Sequence, residues 1–267
     1  MKFIDLSIPI INPDEMIFDP PLTQPHIDYS DHDNGTEQLK GLFMKIDPKE
    51  HLPNGKGWAS ELIHLSTHSG THMDAPWHFS SIQDKEIGQK VAKTIDEFPL
   101  EWGIGPLIVI DCTDYEDGYV LKPGDIDKKL DNINHKLKEG DILCVHTNAS
   151  KYAGTKEYTS RGAGIGREAT LQIIRQGVHV VGTDAWSWDA PFMYTSNKWK
   201  KMVRAKAPDP SIIWEGHFAG IELGYFQMEK MINLDKVPPV GATIYCFPIK
   251  IARASAGWVR AVATVLD

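Results

Sequence analysis

Three stretches of the chain are apolar almost without interruption, and segments with the spacing of a helix lie between them. GPLIVIDC, DILCVHTN and VHVVGTD have the character of strands buried on both faces. Between the first two, PGDIDKKLDNINHKLKEG places Ile126, Leu130, Ile133 and Leu137 on one side of a helix, with Asp125 as its N-cap and Gly140 as its stop. EATLQIIRQ predicts a second helix ahead of VHVVGTD. KFIDLSIPII, ELIHLST, ATIYCFPI and WVRAVATVL read as further strands, and IELGYFQMEKM reads as a helix. The alternation gives an α/β class with a mixed sheet. With no internal repeat and no break in composition, one domain spanning residues 1–267 is the simplest organisation. From about Asn12 to Ser60 the chain is polar and rich in Pro, Gly, Asp and Asn, with neither period, although EQLKGLFMKI has room for a short element. That stretch reads as a lid or partner-contacting arm over a site, with a plain surface excursion as the competing reading, because His26, Tyr29, Phe43 and Trp58 are costly to leave in water.

Composition narrows the possible partners. With 28 Lys and Arg against 36 Asp and Glu the net charge is −8, and no basic cluster offers the phosphate-neutralising footprint of a nucleic-acid binder. No apolar run approaches the length of a membrane span, and MKFIDLSIPI meets Pro and Asp too soon for a secretory segment, so a cytoplasmic protein is expected. Cys112, Cys144 and Cys246 each lie in an apolar run, which suits buried reduced thiols rather than a disulfide or metal framework.

The chemistry is concentrated in HSGTHMDAPWH, residues 68–78, where every even position is special: His68, Gly70, His72, Asp74, Pro76 and His78. Alternate residues of an extended chain share a face, whereas on a helix Asp74 would lie about 200° from His72. Pro76 also argues against a helix. A straight strand would spread these groups over ~33 Å, while ligands at ~2.0–2.2 Å from one ion must converge. The chain must therefore bend, and Gly70 and Pro76 are the bending points. Two imidazoles and a carboxylate form a set suited to Zn²⁺, Mn²⁺ or Fe²⁺, and the lack of thiolate disfavours a closed structural site. An open coordination position implies catalysis.

HSGTHMDAPWH resembles the HxGTHxDxPxH signature of the cyclase superfamily of metal-dependent hydrolases, which includes kynurenine formamidases and isatin hydrolases. DLSIPI, GREATLQIIRQGVHVVGTDAWSWD, MEKMINLDKVPPVGA and FPIKIARASAGWVRAVA resemble family segments in the same order, so the resemblance covers most of the chain. It implies a swivelling β/β/α fold, a homo-oligomer (dimer or tetramer), and hydrolysis of a non-peptide amide C–N bond with one or two divalent ions, Mn or Zn. It also implies that His68, His72 and Asp74 hold the first ion, with Asp74 able to bridge, that His78 is the catalytic acid/base, and that His217 and Glu229 complete a second site. On a continuous helix those two would stand ~18 Å apart and 120° out of phase, so their convergence requires a break near Gly220 or Gly224. Two features depart from compact formamidases: the length of the stretch from Asn12 to Ser60, and Trp258 where a smaller residue or Pro is expected. Both lean toward the isatin-hydrolase side.

A metal site can activate water and polarise a carbonyl, but a departing amide nitrogen also needs a proton, which an imidazole can deliver. His78 suits that task, with a further metal ligand as its alternative role. Trp77, Asp184, Trp186 and Trp188 are candidate pocket residues, the last three because they follow a strand end; ordinary core Trp and a turn-capping Asp are the competing reading. RGAGIGRE lacks the spacing and the preceding strand of a dinucleotide loop, and His146 reads as a satisfied core histidine. The expected function is hydrolysis of an isatin-type cyclic amide or an N-formyl arylamine. Its rivals are a lactone or cyclic-imide hydrolase and a catalytically inactive metal-binding module.

Overall fold

The protein is described from a computed structural model that covers residues 1–14, 16 and 19–266. The described residues form fifteen strands. Nine of them build one mixed sheet: β1 (Lys2–Asp5), β4 (His72–Asp74), β7 (Ile104–Asp111), β9 (Ile142–His146), β11 (Val180–Thr183), β12 (Phe226–Glu229), β13 (Ala242–Tyr245), β14 (Ala256–Trp258) and β15 (Val262–Val265). Their order is β1-β15-β13-β7-β9-β11-β12-β4-β14. β7, β9, β11 and β12 run parallel at its centre, and the strands to either side pair antiparallel. Three two-stranded ribbons are separate: β2 (His26–Ser30) with β3 (Ser60–His64), β5 (Ile82–Gln83) with β6 (Lys90–Val91), and β8 (Val120–Leu121) with β10 (Gly164–Ile165).

The central strands are apolar throughout because both faces are covered. Leu107, Val109, Ile142 and Cys144 join Met73, Phe226 and Met228 in a core on one face. Ile108, Ile110, Leu143 and Val145 point the other way, against Ile126 and Leu130 of α4 (Pro123–Asn132) and Ile173 and Ile174 of α5 (Arg167–Arg175). The mixed sheet and the α/β class are as expected, and the three buried cysteines are free thiols. Burial pushes Cys112 and Cys246 up to about 12.

Several details differ from the periodic reading. α4 begins after Lys122, and Asp125 acts from inside the first turn, its carboxylate accepting from Lys122 N at 2.8 Å; the helix closes at Asn132, well short of Gly140. Residues 258–266 are not one strand: β14 ends at Trp258 and β15 begins at Val262. IELGYFQMEKM is not a helix. α7 (Glu215–Ala219) stops before it, a turn follows, and β12 takes its second half. Phe226 and Met228 go to the core while Gln227 and Glu229 face the opposite side, the alternation of a strand.

The stretch from 12 to 60, of which residues 15, 17 and 18 lie outside the described residues, carries more structure than its pattern suggests. It holds β2, α1 (His32–Leu42) and the single turn α2 (Pro48–His51). α1 buries only Gly35 and Thr36, so it has no apolar stripe to read. Its anchor is steric: a Cβ on Gly35 would come within 1.9 Å of Trp58 O, a contact open only to glycine.

Candidate metal centre

The motif at 68–78 bends at the expected places. Gly70 has φ +64°, a conformation that glycine adopts without strain. Pro76 opens a single helical turn, α3 (Pro76–Phe79), as its first residue, which is where a missing N–H costs nothing. Between them β4 is hydrogen-bonded on both edges, with His72 opposite Glu229 and Asp74 opposite Gln227 in β12. His72, Asp74, Gln227 and Glu229 therefore share one face, and Met73 and Met228 lie in the core beneath.

Hydrogen bonding decides where the lone pairs point. His72 Nδ1 lies 2.9 Å from Gly70 O; a carbonyl only accepts, so Nδ1 carries a proton, and in the neutral ring Nε2 is left as the acceptor. Nε2 stands 3.2 Å from Asp74 Oδ1, also an acceptor, and both atoms are buried without a hydrogen-bond partner among the described residues. His68 places Nε2 at 3.0 Å from Ser255 Oγ and Nδ1 at 2.8 Å from the same Asp74 oxygen. Acceptors facing one another in a dry site are costly unless a cation lies between them. His68 and His72 meet at Asp74, and ligand atoms lie within 4.8 Å of one another in two groups, His68, Asp74 and His78, and His72, Asp74 and Glu229, nitrogen and oxygen donors that fit a divalent ion.

His78 Nε2 is 3.9 Å from Asp74 Oδ2. Its ring packs on His68, with centroids 4.1 Å apart, and meets Trp214 edge-on at 5.0 Å. Burial lowers His78 to about 4 against the opposing pull of Asp74, so the ring is neutral around pH 7. Burial alone would raise Asp74, but His78, His72, His217 and His68 outweigh it and hold the carboxyl well below its ordinary range.

His217 and Glu229 converge with this cluster because the chain turns at residues 220–225 between α7 and β12. His217 Nε2 lies 3.7 Å from Asp74 Oδ2 and 3.4 Å from Glu229 Oε1. The space among these atoms is not open, however: the Gln227 amide nitrogen lies 2.7 Å from His217 Nε2 and 2.8 Å from Glu229 Oε1. Burial lowers His217, and Asp189, Asp74 and Glu229 outweigh it to lift the ring to about 10; donation from Gln227 works the other way, because its N–H needs the bare Nε2 of a neutral ring. Burial and the Asp74 charge raise Glu229.

Of the four candidate pocket residues, Trp186 lines the cavity above this cluster, which encloses about 270 Å³ and is walled also by Phe192 and Trp214. Trp188 is fully buried and supports Glu229 instead, its backbone N–H donating to Oε1 at 2.9 Å. Asp184 is buried beneath a turn, accepting from Thr147 N at 2.7 Å and Ser150 Oγ at 2.9 Å. Trp77 lies outside the cavity and is 41 % exposed. His146 is buried, 3.9 Å from Asp184. A wider cleft of about 450 Å³ elsewhere holds charges that already pair, Arg175 with Glu86 and Lys90 with Asp84.

Four site residues escape a reading by pattern: Gln227, Asp189, Trp214 and Lys230. Gln227 is hidden by the helical reading of its segment, since two residues along a helix are not neighbours. Asp189 accepts from Gly216 N at 2.8 Å, His217 N at 3.0 Å and His217 Nδ1 at 2.5 Å, and a sequence separation of 28 residues gives no signal for that.

The Cyclase family model, described as Putative cyclase, matches residues 4–190. An isatin hydrolase of Roseibium aggregatum is 27% identical over 252 residues, spanning 85% of this chain and 86% of that protein. A kynurenine formamidase of Salinibacter ruber is 28% identical over 200 residues, 75% of this chain and 77% of that protein. Among solved structures, isatin hydrolase A from Labrenzia aggregata bound to benzyl benzoate superposes with a TM-score of 0.72 at 23% identity, covering 100% of this chain and 94% of that one. A potential metal-dependent hydrolase with cyclase activity does so with a TM-score of 0.62 at 18% identity, covering 98% and 96%. The matched fold and the family model over most of its length lead to one conclusion: the chain belongs to the Cyclase family.

Proposed function

We propose that the chain is a metal-dependent hydrolase that cleaves the amide C–N bond of a small cyclic amide of the isatin type or an N-formyl arylamine. The observation that carries this reading is the pair of buried acceptors, His72 Nε2 and Asp74 Oδ1, face to face at 3.2 Å on the floor of a cavity with aromatic walls. The isatin hydrolase and kynurenine formamidase relatives supply the bond type.

His68, His72 and Asp74 would hold the ion, Mn²⁺ or Zn²⁺ by the N/O character of the set. Such an ion supplies Lewis acidity for the attacked carbonyl and makes water a nucleophile at neutral pH. Trp186, Phe192 and Trp214 orient an aryl ring by stacking and exclude bulk water. His78, neutral at pH 7, accepts the proton released as water adds to the carbonyl carbon and passes it to the nitrogen as the C–N bond breaks. The products are then a carboxylic acid and a neutral amine. Its imidazole is a quarter exposed, so it can re-equilibrate with solvent between turnovers.

The finer setting belongs to the same proposal. Free buried thiols suit a cytoplasmic protein, and no helix among the described residues is long and apolar enough to cross a membrane. The arm exposes Leu42 and Phe43, and β3 beside it exposes Leu62 and Ile63, surface that a homo-oligomer would cover.

The test is a hydrolysis screen of isatin-like rings, N-formyl arylamines, lactams and lactones, with metal content measured in parallel. Turnover of an amide by ion-loaded protein is expected, and His78→Ala should keep the ion while losing at least ~10²-fold in kcat. Loaded protein inert on every amide would overturn the reading, and loss of the ion from His78→Ala would make His78 a ligand.

A further inference from the structure

Gln227 stands inside the group of atoms that the family resemblance assigns to a second ion. It lies in β12 directly opposite Asp74 and between two hydrogen-bonded neighbours, β4 and β11. Its side chain is fully buried. The amide nitrogen reaches Asp74 Oδ2 at 3.3 Å, His217 Nε2 at 2.7 Å and Glu229 Oε1 at 2.8 Å. The two shorter distances are hydrogen-bond lengths, whereas atoms ligating a common ion at ~2.1 Å stand about 3.0–3.4 Å apart.

The far end of the amide fixes which atom faces inward. Gln227 Oε1 accepts from the Tyr225 hydroxyl at 2.9 Å. The reversed amide would press its oxygen against two carboxylate oxygens. As placed, two N–H hydrogens meet two anionic oxygens and one imidazole lone pair, the same acceptors that a cation would otherwise satisfy.

We infer that the Gln227 carboxamide takes the place of a second cation, so that this chain carries one divalent ion, held by His68, His72 and Asp74. Asp74 is then divided between two duties, Oδ1 toward the ion and Oδ2 toward Gln227, and does not bridge. His217 and Glu229 are tied by hydrogen bonds rather than by metal. The inference rests on the reading of His68, His72 and Asp74 as a cation site.

Ion stoichiometry decides it without reference to activity. Protein purified without chelator and reloaded with Mn²⁺ is assayed by elemental analysis and by electron paramagnetic resonance, for wild type, Gln227→Ala and the isosteric Gln227→Glu, with circular dichroism confirming the fold. Wild type should hold one ion per chain with the spectrum of isolated Mn²⁺. A folded variant should hold two, with the exchange-coupled spectrum of ions ~3.5–4 Å apart. Two ions in the wild type would overturn the inference, as would one ion in every folded variant, since another group would then exclude the second. Loss of the single ion from Gln227→Ala would overturn it by making Gln227 a ligand. Absence of any ion from the wild type would instead overturn the cation reading beneath it.

Discussion

Asp189 shows how much of the centre is set by a residue that faces away from the cavity. Its carboxylate takes two backbone N–H groups at the start of α7 and the Nδ1 proton of His217, so one side chain satisfies a helix terminus and chooses a tautomer. Asp189→Leu keeps much of the volume but leaves His217 Nδ1 and two backbone N–H groups without their acceptor, so the His217 proton is no longer held on Nδ1 and moves to Nε2, where it meets the Gln227 amide donor. The expected result is a loss of about 1.5–3 kcal/mol, the worth of a hydrogen bond to a charged group, and a fall of about 10–100-fold in activity or ion affinity. Urea denaturation and kinetics read those two effects. Nitrogen-15 NMR of the imidazole separates the tautomer from simple destabilisation, and an unchanged His217 tautomer would refute the argument.

The elements meet through one buried ion pair. Lys230, directly after β12, bonds to Asp19 from the 12–60 arm, donates to His68 O at 2.7 Å and lies 5.0 Å above the Trp186 ring. Asp19 in turn accepts from Gly70 N at 3.1 Å. The arm, the metal loop and the strand carrying Glu229 are thereby locked to one another. Asp19→Ala leaves a buried ammonium without its partner, at a cost of about 3–5 kcal/mol, and slackens the loop that presents His68. The double variant Asp19→Ala with Lys230→Met should recover much of the stability without restoring ion affinity; equal losses in single and double variants would show that the pair does not couple. None of this is visible in the amino-acid pattern, because the partners are separated by 211 residues. What the pattern does reveal is physical in the same sense. GPLIVIDC and DILCVHTN announce buried strands since both faces must be apolar, and HSGTHMDAPWH announces its site since ligands and bending residues are consecutive. IELGYFQMEKM misleads because the pairs Leu223–Phe226 and Met228–Met231 have the i, i+3 spacing of a helix while Phe226–Met228 has the i, i+2 spacing of a strand, and only the glycines at 220 and 224 hint at the break. α1 is only half seen, as the short element that EQLKGLFMKI has room for, because backbone contact at Gly35, rather than an apolar face, holds it.

Across the whole molecule the centre sits at one end of the sheet, and this predicts where loss of the ion is felt. β4 supplies His72 and Asp74 and is flanked by β12 and β14, whereas β7 and β9 lie farther along the strand order, beyond β11. An ion that binds the folded chain alone stabilises it by about 4 kcal/mol at a thousandfold excess over Kd, which for a chain of this size moves Tm by ~10 °C. Chelation should therefore lower Tm by about that amount, and titrating Mn²⁺ or Zn²⁺ back should restore it. The change should also be local in the native state. Without the ion, the facing acceptors of His72 and Asp74 repel, and the backbone amides of β4, β12 and β14 should exchange hydrogen faster, while those of Ile104–Asp111 and Ile142–His146 stay protected. His72→Ala should show the lower Tm and the faster exchange from the outset and respond to neither chelator nor metal. A Tm indifferent to both chelator and added ion in the wild-type protein would mean that the acceptors are reconciled by some means other than a cation.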